Sequence, residues 1–275
     1  MRVIGTAGAC ALALALAGVG AGAASAEEYP LTGLPEIGRC VKVATGTGKF
    51  NFSNCIAVDK DGGDGSWEWK PGPGEHGTFK MRVSSVTFQT VGGGKDNCTL
   101  GFLTGQYANG KEVKISKVTL QGCINVISNQ DCSSSPAEKG IIESSQPLVG
   151  EIGFLPNPKN EANPYVGVDL KAEPETLPLL TFTCGETLGE SVALEVSVIG
   201  KILKLNKMYA EDGIVYTQKA GVQKFQAFKG GVKDTLTETI TPLTNPLERH
   251  SEAAAMGASG ALVNGEPIEI KAKQH

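Results

Sequence analysis

The sequence is poor in aromatic residues and has no cluster of basic residues. Aromatic residues make up 6% of the 275 positions, whereas glycine occurs 36 times, a balance typical of many tight turns between short strands. Lys and Arg total 25 against 29 Asp and Glu, so the chain is mildly acidic. A mildly acidic chain without a basic patch is a poor partner for nucleic acid or for an anionic membrane surface, and we predict neither partner.

The sequence also lacks the short motifs of common enzymes and cofactor sites. It contains no C-x-x-C pair, no phosphate-binding loop and no dinucleotide fingerprint, and residues 257–260 break the spacing of a lipase-type G-x-S-x-G elbow. His76, His250 and His275 have no partner at ligand or triad spacing along the chain, although a triad can assemble from distant residues. We therefore predict no cofactor and no catalytic residue, and favour a non-enzymatic protein.

No long apolar run follows the N-terminal one. Met1-Arg2 precedes an Ala-, Gly- and Leu-rich run over residues 3–23, and Ala24-Ser25-Ala26 offers a small-x-small cleavage site, so residues 1–26 are predicted to be a secretory signal peptide. A retained membrane anchor is the alternative, but Ala and Gly bury little apolar surface. After cleavage, 24 basic and 29 acidic residues remain, and we expect a secreted or cell-envelope-associated protein that does not bind the membrane.

Cysteine is present in a number that favours disulfides. Cys10 leaves with the signal peptide, and the six that remain are Cys40, Cys55, Cys98, Cys123, Cys132 and Cys184. An even count in an exported chain predicts three disulfides, with fifteen possible connectivities. We prefer Cys40–Cys55, Cys123–Cys132 and Cys98–Cys184, because the first two close short local loops and the third then joins distant strands.

Short apolar runs separated by Gly, Pro and Asn predict an all-β fold, an antiparallel sandwich or a distorted barrel. The apolar alternation changes phase at Ser84-Ser85, which predicts a β-bulge. Asn109-Gly110 and Asn264-Gly265 each lie between strand-like runs and predict hairpins with positive φ at the turn. No segment has helical periodicity over twelve residues, and residues 251–256 favour at most one helical turn.

The Pro-Gly cluster at residues 71–74 predicts a boundary near residue 75. Residues 27–75 are expected to form an N-terminal arm and a small hairpin lobe, clamped by Cys40–Cys55, in which residues 39–44 pair with residues 50–58. Residues 76–275 are expected to form the all-β main domain.

Within the main domain, residues 140–184 look like a strand meander that serves as scaffold. No residue in that stretch is set up for chemistry. We therefore expect any site on the edge formed by residues 59–69 or in the loops 127–137 and 155–164.

Two candidate ligand sites lie in the 59–69 segment. Asp59, Asp61 and Asp64 form an oxygen-rich, Gly-containing loop that suits calcium, but the spacing departs from the helix-loop-helix calcium motif, and a solvated turn is the alternative. Trp67 and Trp69 are the only tryptophans, and in a strand both rings point to one face, where they could stack on a sugar. The alternative is that both rings cover the core of the small lobe.

Several phrases occur together in a characteristic order. They are GRCVKV at 38–43, WEWKPG at 67–72, PLVGEIGF at 147–154, VGVDLK at 166–171, FTC at 182–184 and a segment from Gly200 through NKM at 206–208. With these phrases the chain resembles, over most of its mature length, a group of exported all-β proteins of high-GC Gram-positive bacteria whose function is not known. The resemblance implies a bacterial exported protein and implies no activity, cofactor or catalytic residue.

The sequence thus favours a secreted, non-enzymatic binding or structural protein of the cell envelope or extracellular space, with cell-wall or extracellular polysaccharide as a candidate partner. A lectin-like module that uses Trp67 and Trp69 is one alternative. A secreted hydrolase with a site assembled from loops is the other.

Overall fold

The computed structural model describes residues 33–55, 64–186 and 189–273. The predicted signal peptide and the residues of the candidate calcium loop before Asp64 lie outside these ranges, as does His275. The described strands are β1 (Glu36–Lys42), β2 (Trp67–Pro71), β3 (Thr78–Thr90), β4 (Lys95–Cys98), β5 (Leu100–Tyr107), β6 (Glu112–Gln121), β7 (Ile124–Asn125), β8 (Gln130–Ser133), β9 (Ile141–Glu143), β10 (Leu148–Leu155), β11 (Tyr165–Ala172), β12 (Leu180–Cys184), β13 (Glu190–Glu195), β14 (Ser197–Ile202), β15 (Tyr209–Tyr216), β16 (Gln218–Lys219), β17 (Val222–Gln223), β18 (Thr237–Pro242) and β19 (His250–Lys271). One 3-10 turn, Pro246–Glu248, precedes β19. No helix in the described ranges is long and apolar enough to cross a membrane.

The strand pairings are antiparallel and close on themselves twice. A first ring, called here the lower ring, runs β3–β5–β6–β10–β11–β14–β15–β19 and returns to β3. A second, the upper ring, runs β3–β4–β7–β8–β12–β13–β18–β19 and also returns to β3. The predicted all-β class is confirmed, in the form of a distorted barrel with two rings that share β3 and β19.

The last strand, β19, joins all parts of this architecture. Its first residues pair with β18 in the upper ring, its middle pairs with β3 and β15, and its end pairs with β1. Ala254 and Ala255 are both buried although neighbours in a strand point to opposite faces, so β19 is covered on both sides there. Small side chains let other elements approach from both faces.

Two predictions for this segment are wrong. Residues 251–256 form strand rather than a helical turn, and residues 264–265 continue the strand rather than turning. Asn264 instead links two strands, because its amide donates to the Tyr209 carbonyl and its Oδ1 accepts from the Tyr107 hydroxyl at 2.7 Å. At Gly265 a Cβ would lie 2.7 Å from the His76 carbonyl oxygen, so glycine here permits close approach.

The β-bulge at Ser84-Ser85 is confirmed. The pairing of β3 with β19 passes from Val83↔Gly260 to Val86↔Ala258, so β3 has one residue more than its partner. Val83 and Val86 are both buried, whereas both serines are exposed. The extra residue keeps the apolar face directed inward across the junction of the two rings.

The hairpin at Asn109-Gly110 is also confirmed, but its turn works differently from the prediction. Neither residue has positive φ. Asn109 Oδ1 instead accepts hydrogen bonds from the backbone N–H groups of Lys111 and Glu112 at 2.7 and 2.9 Å. The asparagine side chain closes this turn by replacing a backbone acceptor.

The small N-terminal lobe is built on a different hairpin from the one predicted. β1 pairs with β2, with Cys40 opposite Trp69, rather than with residues 50–58, of which 56–58 lie outside the described ranges. Phe50 makes only an isolated bridge to Trp67. Because β1 also pairs with β19, the lobe and the main body share hydrogen-bonded strands. The domain boundary near residue 75 stays a prediction.

The alternation over residues 192–198 predicts one strand with Val196 on the buried face, which is wrong at Val196. This residue has φ +75° and is exposed, and it separates β13 of the upper ring from β14 of the lower ring. The apolar run at residues 225–228 likewise predicts a strand, but these residues form a loop. Phe225 and Phe228 pack against Leu155 and Ile199 and so cover the outer face of the lower ring.

One continuous apolar core fills both rings. Two voids in it, of about 40 and 70 Å³, are lined almost wholly by apolar side chains. Both are well below the roughly 300–1,000 Å³ of small-molecule pockets.

All six described cysteines form disulfides, but two of the three preferred pairings are wrong. Cys40–Cys55 is confirmed, whereas Cys98 bonds Cys123 and Cys132 bonds Cys184. Cys98 and Cys123 lie at the points where β4 gives way to β5 and β6 to β7, and Cys132 lies opposite Cys184 in the β8–β12 pair. The length of the closed loop alone did not predict these two disulfides. The strand pairing within the rings decides which cysteines lie next to each other.

Replacing both Cys132 and Cys184 by alanine should lower the free energy of unfolding by about 4 kcal/mol, since the disulfide closes a long loop in the unfolded chain. Chemical denaturation of the purified protein measures this. Non-reducing peptide mapping of the wild type supplies the control. A peptide that joins Cys98 to Cys184 would refute the pairing described above.

Candidate functional site

A polar pocket of about 300 Å³ opens on the outside of the barrel where the chain passes between the two rings. We call it the corner pocket. It is lined by Lys171, Glu175, Thr176, Leu177, Glu195, Val196, Asp234 and Thr237. These residues come from the end of β11, the β11–β12 connection, the β13–β14 corner and the segment that leads into β18. Its volume reaches the lower end of the range of small-molecule sites.

Lys171 provides the positive charge of the corner pocket. Its Nζ lies 3.7 Å from Asp169 Oδ2, 3.8 Å from Glu175 Oε1 and 3.6 Å from Asp234 Oδ2. Burial opposes the charged form of Lys171, but the surrounding carboxylates outweigh burial and hold its pKa above the usual range. Each of the three distances exceeds a normal hydrogen bond, so the ammonium can donate to an oxygen placed between these groups.

Asp169 lies behind Lys171 on the same face of β11, under the loop that carries Asp234. Burial raises the pKa of Asp169 to about 7, against the opposing effects of the Ser197 hydroxyl and the Lys171 ammonium. The Ser197 hydroxyl is close, but neither Ser197 Oγ nor Asp169 Oδ1 makes a hydrogen bond of normal geometry. Buried polar atoms without hydrogen-bond partners are uncommon in folded proteins. Two such atoms, one from Asp169 and one from Ser197, therefore lie close together behind Lys171.

Backbone geometry at Val196 shapes one wall of the corner pocket. A β-branched residue with positive φ is a conformational outlier. It turns the chain so that Glu195 and Val196 line the pocket while Ser197 is buried beside Asp169. Glu195 Oε2 accepts a hydrogen bond from Thr239 Oγ1 at 2.6 Å, which fixes the carboxylate at the rim.

The sequence interpretation missed this pocket. Four of its lining residues, Lys171 and residues 175–177, belong to the stretch expected to be scaffold only, and none lies in the segments where a site was expected. The available signal was Asp169 and Lys171, two charges of opposite sign at period two in an otherwise apolar strand. That spacing puts both on one face, but it does not show what covers that face.

Trp67 and Trp69 lie on β2, and both rings are half-buried. Trp69 Nε1 donates to Glu36 Oε2 at 2.6 Å, and its ring lies 4.6 Å from Lys271 Nζ. A Cβ on Gly38 would lie 2.5 Å from the Trp69 ring, so that ring also packs tightly on β1. Trp69 therefore takes part in the packing of the lobe, and a sugar-stacking role for the pair stays a prediction.

Lys271 and Glu269 are two buried ionisable side chains on β19, beneath the lobe. Lys271 Nζ donates to the Cys55 carbonyl at 2.8 Å and lies 4.8 Å from the centre of the Phe50 ring. Glu269 is fully buried, and burial raises its pKa to about 7 although the Lys271 ammonium opposes the shift. Burial likewise holds the pKa of Lys271 below its usual range, against the attraction of Glu269 and Glu36.

The other predicted candidates are not brought together. Asp64 is the only member of the candidate calcium set inside the described ranges. His76 and His250 are exposed at different places in the chain, and the Nδ1 of His250 lies 3.4 Å from the Glu248 carbonyl oxygen.

A group of carboxyls lies inside the upper ring, beside the Cys132–Cys184 disulfide. Asp96 Oδ1 accepts from Asn125 Nδ2 at 3.0 Å, and the same amide donates to Glu190 Oε1 at 3.2 Å. Burial raises the pKa of Asp96 to about 7, with Asn125 opposing the shift and Glu190 adding to it. Burial, together with Asp96, Glu190 and Glu252, raises the pKa of Glu238 to about 8.

Asp96 also lies near the sulfur atoms of Cys132 and Cys184, at 3.8 and 3.7 Å. These three side chains are the one cluster of potential metal ligands found among the described residues. Both sulfurs belong to a disulfide and are not thiolates, so they are not available as zinc ligands.

Comparison of the chain with models of protein families, with curated proteins and with solved structures finds no match. The resemblance to exported bacterial proteins therefore stays a prediction.

Glu238→Gln should stabilise the protein at alkaline pH. The folded pKa of Glu238 lies above its ordinary value of 4.5, so ionisation favours the unfolded state, and wild-type stability should fall as the pH rises from about 5 to 8. The variant should be more stable at pH 8 by about 2–4 kcal/mol and should gain little at pH 4. Denaturation at several pH values measures this, with the exposed Glu161→Gln as control. Equal pH profiles for Glu238→Gln and the wild type would contradict burial of an ionisable group.

Lys271→Met should destabilise the protein most at alkaline pH. Removal of the ammonium leaves Glu269 buried without its counter-charge, a change that costs about 1–3 kcal/mol when the carboxyl is ionised. Below about pH 6 Glu269 is protonated and the cost should shrink. Tryptophan fluorescence during denaturation measures this, because both tryptophans, Trp67 and Trp69, lie on β2 in the lobe. A loss of stability independent of pH would assign Lys271 a packing role only.

Proposed function

We propose that this protein is exported and acts as a non-enzymatic binding or structural protein of the cell envelope or extracellular space. Three disulfides support an oxidising location, because disulfides form and persist mainly outside the cytosol. The predicted signal peptide supports the same location.

The observation that carries a binding role is the corner pocket. It combines a lysine, three carboxylates and two threonine hydroxyls with two apolar side chains at the surface of a disulfide-stabilised scaffold. A few polar groups converging on a concave surface of sufficient size are the usual features of a small-molecule site. Rigid strands carry Lys171 and Glu195, so the donors and acceptors are held in place before a ligand arrives.

The lectin-like alternative through Trp67 and Trp69 is supported by the position of both rings on β2. Within the described residues this strand pairs with β1 and otherwise makes a single isolated bridge, from Trp67 to Phe50. The engagement of Trp69 with Glu36, Gly38 and Lys271 leaves less of that ring for a sugar. We therefore place this alternative second.

The hydrolase alternative is favoured by one observation. Asp169 has a pKa near 7 close to the pocket carboxylate of Asp234, and hydrolysis of glycosides uses one protonated and one ionised carboxyl group. Asp169 is buried behind Lys171, which places it poorly for contact with a substrate in the pocket.

Expression of the full chain in a Gram-positive host tests the proposal. We expect mature protein that begins at Glu27 in the medium or the wall fraction, lighter than its reduced form by two hydrogens per disulfide. We also expect no turnover of nitrophenyl glycosides and esters. Retention in the cytosol with free thiols would refute export. Turnover that Asp169→Asn abolishes would replace the binding role by the hydrolase.

A further inference from the structure

The corner pocket offers donors and acceptors in an arrangement that suits hydroxyl groups. Three acceptor groups line it, the carboxylates of Glu175, Glu195 and Asp234, and the Lys171 ammonium supplies donors between two of them. Thr176 and Thr237 add hydroxyls that both donate and accept. A sugar hydroxyl also donates and accepts, so it can accept from the ammonium and donate to one of the carboxylates beside it.

The pocket also has an apolar side. Leu177 and Val196 are 42% and 44% exposed, so both present hydrocarbon at the pocket opening. A sugar ring has an apolar face of C–H groups, and contact with such side chains removes apolar surface from water. The volume of about 300 Å³ suits one ring or a short oligomer end rather than a long chain along the surface.

Charge in the corner pocket opposes an anion. One ammonium and three carboxylates line it, a formal balance of 1 − 3 = −2. This balance attracts a cation, but the Lys171 ammonium already lies beside Glu175 and Asp234 and repels a second cation there. A neutral, hydroxyl-rich ligand uses the mixed donors and acceptors without bringing a further charge into the pocket.

We propose that the corner pocket binds a single neutral sugar ring, with Lys171 donating to a ring hydroxyl that donates in turn to Asp234 or Glu175. The assignment rests on the binding role proposed above and places the glycan site at this pocket rather than at Trp67 and Trp69.

The test uses the mature, disulfide-bonded protein and four neutral probes, glucose, galactose, mannose and N-acetylglucosamine. Each is titrated while backbone amide chemical shifts are followed by NMR. We expect at least one probe to shift the signals of Lys171, Thr176 and Thr237 selectively, with a dissociation constant of about 1 mM, as suits one small rigid ring. No selective shift with any probe would overturn the proposal.

Matched variants locate the effect. Lys171→Met should weaken binding about tenfold or more, because the ligand loses its donor and the carboxylates lose their partner. Glu175→Gln, at an exposed rim position, should weaken it less and serves if Lys171→Met fails to fold. Lys114→Met is the control, because Lys114 makes an exposed ion pair with Glu173 outside the pocket lining and should bind as the wild type does. Unchanged affinity in both Lys171→Met and Glu175→Gln would exclude the corner pocket.

Two further measurements distinguish the sugar site from the proposed binding role in general. Spermidine that binds the pocket more tightly than every sugar would overturn the neutral-ligand assignment while leaving a binding role intact. Sugar binding that Trp67→Ala abolishes and Lys171→Met does not would move the site to β2. In either case export and the absence of turnover are tested separately, so failure here is distinct from failure of the proposed function.

Discussion

The pairing of β3 with β19 holds the two rings together, because both rings contain these strands and neither closes without them. Ten residue pairs form this ladder, from Ala254↔Thr90 to Asn264↔Phe79. The two strands must stay paired across the junction of the two rings. The bulge at Ser84-Ser85 allows this because it adds one residue to β3 only. β19 meets the same demand with alanine and glycine, which let Met81 and neighbouring strands approach closely at Gly260.

Closure of the rings also explains where charge is buried. Strands that face a common interior bring Asp96, Glu190 and Glu238 together, and the end of β19 carries Glu269 and Lys271 beneath the lobe. Carboxyls in such positions prefer the protonated form, so the fold gains stability from mild acidity and loses it as they ionise. The corner pocket differs because Lys171 offsets part of the charge of its carboxylates and one side meets solvent.

Sequence reasoning succeeded where a local pattern has one physical cause. The phase change at Ser84-Ser85 allows only a bulge if the apolar face is to stay buried, and alternating runs around Asn109 allow only a hairpin. It failed where segments distant in the sequence determine the local structure. The alanines near residue 254 and the pair Asn264-Gly265 have the composition of a helix and a turn, but pairing on both sides of β19 imposes a strand. The corner pocket could not be predicted because its walls meet only through ring closure, and the loop over Asp169 has no periodic signal.

The disulfides join neighbouring cysteines along the chain. Among the six described cysteines each bonds the next one, 40 with 55, 98 with 123 and 132 with 184. The three covalently closed loops therefore neither overlap nor enclose one another. A chain that formed each bond as soon as its two cysteines were available would reach this set without exchange between wrong partners.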